Sequence, residues 1–128
     1  RDPEYPFTPD YWPNKLATTT VRIDSVDIPS MYLRLSKKEG IPVKVQLSEV
    51  LYPDGTANIA QGGEVSAMLI TPTEELSYKA KFLGAGSFEA IIPADAIKDL
   101  EDGSYTILIS ASIEGAVPAS VASSTVIY

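Results

Sequence analysis

Apolar and polar residues alternate with period two through most of the chain after residue 17. The clearest example follows an Asp-Gly pair and occupies every second position: Tyr105, Ile107, Ile109, Ala111 and Ile113. Side chains two residues apart point to the same face of a strand, so these five form one apolar row. This stretch therefore predicts a strand with one face packed on a core.

The same alternation recurs in short segments separated by turn residues. Such segments lie around residues 21–28, 31–35, 41–47, 65–69, 76–82, 88–92 and 121–128. The pairs Asp54-Gly55 and Asp102-Gly103 indicate tight turns. The apolar phase slips by one residue at Asp24-Ser25, which indicates a β-bulge. Residues 93–100, which start with a proline, favour a helix of about two turns.

Seven to nine strands, spaced about 8 to 15 residues apart, are typical of an all-β antiparallel sandwich. A parallel sheet would need long helical crossovers, and this chain offers at most one short helix. We therefore predict one β-sandwich domain over residues 17–128.

Residues 1–16 differ in composition from the rest of the chain. Four prolines alternate there with the aromatic residues Tyr5, Phe7, Tyr11 and Trp12. Proline at this density disfavours both helix and regular strand pairing. This N-terminal segment is therefore expected to be extended or polyproline-like, with its aromatic side chains along the sandwich wall or against a neighbour.

Composition excludes several function classes. The 128 residues include 17 acidic and 10 basic side chains, for a net charge of -7, with no histidine and no cysteine. Such a surface repels nucleic acid. Without histidine and cysteine, the commonest general base, thiol nucleophile and metal ligands are missing. No apolar run approaches the roughly 20 residues of a membrane helix. We expect neither an enzyme nor a cofactor, no nucleic-acid partner and no membrane insertion.

Part of the chain resembles a known class of module. The residues concerned are the Val43–Leu47 and Gly63–Leu69 strands, Gly86-Ser87-Phe88, and Asp102-Gly103-Ser104-Tyr105. A tyrosine just after a turn at the start of a strand looks like the tyrosine corner of two-sheet sandwiches. Residues 41–113 thus resemble the immunoglobulin-like modules of macroglobulin-type and bacterial or archaeal cell-surface proteins. The resemblance implies an immunoglobulin-like β-sandwich that acts as a spacer or binding module in an extracellular assembly.

Acidic side chains are densest around the turn before the tyrosine strand, at Asp95, Asp99, Glu101 and Asp102. Calcium takes several carboxylates and carbonyls from one loop, but the Asp-x-Asp-x-Asp-Gly spacing is absent. Helix-end charge and a solvated turn explain these acids more simply, so we predict no metal site.

The aromatic residues of the N-terminal segment are the better candidate binding site. Exposed aromatic side chains stack on sugar rings or anchor a protein partner, whereas docked ones would cover the sandwich or a domain junction. We predict a non-catalytic structural or interaction module of an extracellular or cell-surface protein, with adjacent domains or other subunits as partners. One alternative is a self-assembling surface-layer or filament subunit that pairs through its N-terminal segment. Another is a carbohydrate-binding module that uses Tyr11 and Trp12.

Overall fold

The computed structural model describes residues 18–33, 39–52 and 54–128, which form two five-stranded β-sheets. In spatial order, the first sheet comprises β1 (Thr18–Asp27), β3 (Ile41–Tyr52), β8 (Ser87–Ile92) and β7 (Lys81–Gly84), with β4 (Thr56–Ile59) paired to β3. The second sheet comprises β2 (Met31–Tyr32), β10 (Ala119–Ile127), β9 (Gly103–Ser112), β5 (Glu64–Ile70) and β6 (Glu75–Lys79). All these pairings are antiparallel except that of β2 with β10. An all-β sandwich is confirmed at this level, with ten described strands against the seven to nine expected.

The core lies between the inner faces of the two sheets, and the long strands β3 and β9 supply much of it. Its buried members on these strands are Ile41, Val43, Val45, Leu47, Ile107, Ile109 and Ala111. The apolar row predicted on β9 is confirmed, with Tyr105 and Ile113 partly buried at its two ends. Removing each large aliphatic side chain from water contributes about 1.5–3 kcal/mol.

The bulge predicted in β1 is confirmed. The register passes from Ile23 opposite Leu47 directly to Ser25 opposite Gln46, so Asp24 is the extra residue. Its carboxylate accepts hydrogen bonds from the buried Ser48 hydroxyl and from Arg22 Nε, the latter at 2.5 Å. The bulge thereby supplies a partner for a hydroxyl that would otherwise be buried unpaired.

The chain changes sheets along both sides of the sandwich. On one side it leaves the first sheet after β1 and joins the second at β2. On the other side it leaves the second sheet after β6 and joins the first at β7. Ala80 lies at this second crossing, and its amide donates to the Val65 carbonyl at 2.7 Å. The single alternating strand expected over 76–82 is therefore two strands in different sheets.

The predicted helix is shorter than expected. It consists of α1 (Ala94–Ile97), one turn preceded by Pro93 at the N-cap. Ile97 is buried and anchors this turn at the end of the core. Asp99 and Leu100 lie beyond it, in the connection to β9.

For the strand expected over residues 31–35, the prediction of which side chains face the core is wrong at Met31 and Tyr32. Tyr32 is 1% exposed and Met31 is 56% exposed, which is the reverse of the expected pattern. Because β2 pairs in parallel with the end of β10, Tyr32 lies beside the buried Ile127. The Tyr32 hydroxyl accepts a hydrogen bond from the Gly40 amide at 3.2 Å.

The hairpin of β3 and β4 was not predicted. Strand β3 continues to Tyr52, beyond the expected end at Leu47, and β4 pairs with this extension. The alternation of buried positions shifts there: Leu47 and Ser48 are consecutive and both buried, on opposite faces of the strand.

Truncation of the β9 core row tests this packing. We expect Ile107→Ala to lower the free energy of unfolding by about 2–5 kcal/mol, because the cavity cannot be refilled. The neighbouring exposed substitution Thr106→Ala serves as the control, with an expected cost below about 1 kcal/mol. Equal losses for the two variants in urea denaturation would contradict the assignment of Ile107 to the core.

Candidate interaction surfaces

The aromatic residues predicted as a binding site, Tyr5, Phe7, Tyr11 and Trp12, lie outside the described residues. The same holds for the whole segment 1–16 and its expected extended conformation. Their role therefore stays a prediction, and the surfaces below come from the sandwich itself.

Among the described residues, Glu49, Glu64 and Glu114 line one open depression beside the start of β5. In the described part of the chain, no group of three or more acidic, histidine or cysteine side chains is placed to hold a metal ion. Asp24 is bonded to Arg22 and Ser48. The described residues include no helix long and apolar enough to cross a membrane.

The outer face of the first sheet carries a row of alternating charge. Cross-strand pairing places Asp27 opposite Lys44, Lys44 opposite Glu89, and Glu89 opposite Lys81. The row thus crosses four strands with signs minus, plus, minus and plus. Opposite charges in directly facing positions stabilise a sheet by about 0.2–1 kcal/mol a pair.

The outer face of the second sheet is different in kind. Its central residues form three cross-strand rows over β5, β9 and β10: Ser66, Ser110 and Ser120; Met68, Leu108 and Ala122; and Ile70, Thr106 and Ser124. None of these nine side chains is charged, and we call them the neutral face. Strand β6 borders it with Lys79 beside Ser66, Ser77 beside Met68 and Glu75 beside Ile70.

The neutral face was missed at the level of sequence. Its signal is present in the outward positions of β5, β9 and β10, which hold serine, threonine and aliphatic residues except at Glu64, the first residue of β5. That signal has meaning only once the register brings Met68, Leu108 and Ala122 into one row.

The first and last described residues lie at opposite ends of the sandwich. Strand β1 and the start of β10 run in the same direction, since Val117 donates to the Thr19 carbonyl and accepts from the Val21 amide. Thr18 therefore lies near the start of β10, whereas Tyr128 follows its end. With about 3.3 Å per strand residue, the two ends are separated by roughly 35 Å.

Exposed apolar side chains gather at both ends. Beside Thr18 they include Tyr52, together with Leu51 and Ile59 on the β3–β4 hairpin. At the other end, Met31 and Ile91 line a small apolar depression with Pro29 and Pro42. Tyr128 is joined to this end by a hydrogen bond from its amide to the Tyr32 carbonyl.

The turn before β9 is held by Tyr105. Its hydroxyl donates to the carbonyl of Glu101 at 2.5 Å. The ring is partly buried against the core. The residue thus ties the connection from α1 to the start of the strand that follows.

Comparisons of this chain with protein-family models, with curated proteins and with solved structures find no match.

Replacing Lys44 tests the charged row. We expect Lys44→Glu to lower the free energy of unfolding by about 1–2 kcal/mol, because like charges then face each other at two positions. Lys44→Gln, which removes attraction without adding repulsion, should cost about half as much. The difference between the two variants should shrink in 1 M NaCl, since salt screens exposed charges. A salt-independent difference in chemical denaturation would show that repulsion in this row is not its cause.

Replacing Tyr105 tests the turn before β9. Tyr105→Phe keeps the ring and removes the hydrogen bond to Glu101, so we expect a loss of about 0.5–1.5 kcal/mol in the free energy of unfolding. Tyr78→Phe is the matched control, because the Tyr78 hydroxyl makes no hydrogen bond among the described residues. If both variants unfold at the same denaturant concentration as the parent, the Tyr105 contact contributes nothing.

Proposed function

We propose that this chain is a non-catalytic immunoglobulin-like module of an extracellular or cell-surface protein, which spaces and docks the domains adjoining it. The observation that carries the proposal is the placement of the first and last described residues. Thr18 and Tyr128 lie at opposite ends of the sandwich, and each end has exposed apolar side chains beside it. A module of this shape holds two neighbours apart and offers each a surface to pack on.

The order of the strands supports the immunoglobulin-like part of the proposal. In that fold, strands A, B, E and D form one sheet and strands G, F and C the other, with C′ added in variable-type domains. Lettering β1, β3, β8 and β7 as A, B, E and D reproduces the first sheet. Lettering β10, β9, β5 and β6 as G, F, C and C′ reproduces the second. Strand β2, which pairs with β10, and the β3–β4 hairpin are additions to this plan.

The tyrosine at the start of β9 supports the same lettering. A tyrosine corner places a tyrosine near the start of strand F, with its hydroxyl bonded to backbone a few residues upstream. Tyr105 occupies this place and donates to Glu101, four residues before it.

The non-catalytic part of the proposal rests on residue types and their distribution. The chain has no histidine or cysteine. The described carboxylates are spread over sheet faces and turns, and Asp24 is engaged with Arg22 and Ser48. The proposal therefore gives the partner-binding role to the sheet faces and the two ends of the sandwich.

Pulling on the first and last described residues tests the spacer proposal. Because the chain has no cysteine, Thr18→Cys and Tyr128→Cys supply unique attachment points. Force applied there acts along the strands, so several hydrogen bonds of the end strands must break together. We expect one cooperative unfolding event that releases roughly 350 Å of chain.

A second pulling direction is the control. Thr18→Cys and Tyr52→Cys place the attachment points on directly opposed residues of β1 and β3. Force on this pair opens the strands one hydrogen bond at a time, and we expect a lower unfolding force. Gradual extension at low force in the end-to-end direction would overturn the spacer proposal.

A further inference from the structure

The two outer faces of the sandwich differ in how many charged residues they carry. Charged residues make up 21% of the chain, and the outer face of the first sheet carries a full row of them. The neutral face of the second sheet has none among its nine residues. A solvated sheet face has no physical need to exclude charge, whereas a face that packs against another surface does.

The net charge of -7 restricts how two copies of this chain can meet. Contacts between the most acidic parts of the surface bring like charges together, which opposes association. The neutral face is a place where two copies can approach without that penalty. Its serine and alanine side chains are small and allow the two sheets to come close.

The border of the neutral face is complementary to itself. On β6, Lys79 lies in the row of Ser66 and Glu75 in the row of Ile70, with Ser77 between them. A two-fold axis along the middle row, through Met68 and Leu108, exchanges the two outer rows. It therefore places Lys79 of one copy opposite Glu75 of the other, and does so twice.

We propose that this chain forms a symmetric homodimer through the neutral face, with the two-fold axis along the row of Met68, Leu108 and Ala122. The interface is isologous, so Leu108 packs on its own counterpart and Met68 does the same. Two Lys79–Glu75 pairs at the border set the antiparallel orientation of the copies. This inference rests on the second sheet alone and does not depend on the spacer proposal.

The size of the face sets the strength of the dimer. Its three rows, about 6.7 Å apart, on four strands at about 4.8 Å spacing give a face of roughly 400 Å². Two copies bury roughly 800 Å² in total, which is below the usual range of stable specific interfaces. We therefore expect a weak dimer that forms at chain concentrations of about 0.1–1 mM.

Sedimentation equilibrium of the full 128-residue chain tests the proposal. Between about 10 µM and 2 mM, the mass should rise from the 13.8 kDa of one chain towards twice that value. Leu108→Glu places two carboxylates against each other on the two-fold axis and should abolish the rise. Because Leu108 points outward, the circular dichroism spectrum of this variant should match that of the parent.

A charge exchange tests the symmetry itself. Lys79→Glu alone should weaken dimerisation at least fivefold, because it opposes two glutamates at each border contact. Glu75→Lys alone should do the same with two lysines. The double variant restores opposite charges and should recover the affinity of the parent. Lys98→Glu, the same charge change on an exposed residue outside the face, is the matched control and should have no comparable effect.

Three results would overturn the proposal. The first is a monomer at all concentrations up to 2 mM. The second is a dimer that Leu108→Glu leaves intact, which would place self-association elsewhere, such as in the N-terminal segment. The third is a double exchange variant that dimerises no better than the single variants, which would exclude the two-fold axis assigned here.

Discussion

The burial of one apolar face of each sheet against the other is the constraint on which this structure depends. Strands β3 and β9 each contribute a row of fully buried aliphatic residues, including Leu47 and Ile109. A slip of one residue in the register of either strand would turn its whole row towards water, so the registers of both sheets are set together. The same registers determine which residues face each other on the outer faces, because every outward residue is the neighbour of an inward one.

The chain crosses from one sheet to the other along both sides of the sandwich. Strand β1 is continued by β2 in the other sheet, and β6 is continued by β7 across Ala80. Lysines at positions 79 and 81 lie on these outermost strands, where exposed charge discourages pairing with a further strand. Because β1 and the start of β10 run in the same direction, the first and last described residues, Thr18 and Tyr128, lie at opposite ends of the sandwich.

The two outer faces have different chemistry on the same backbone geometry. The first sheet carries charges that alternate in sign from strand to strand, as at Lys44 and Glu89. The second sheet has serine, threonine and aliphatic residues at most of its outward positions, with Lys79, Glu75 and Glu64 around them. The described residues thus present two sheet faces of different chemistry.

The sequence by itself determined the strands with a buried face, since period-two alternation is imposed by the pleat and survives in any sandwich. It also located the β1 bulge at Asp24 and the tyrosine at the start of β9. Only the tertiary structure decided that Tyr32 rather than Met31 is buried, because two residues are too few for a pattern and β10 sets their orientation. It also divided residues 76–82 between the sheets and assembled the neutral face. Those features depend on registers between strands that are distant in the chain, and alternation within one strand carries no information about its neighbour.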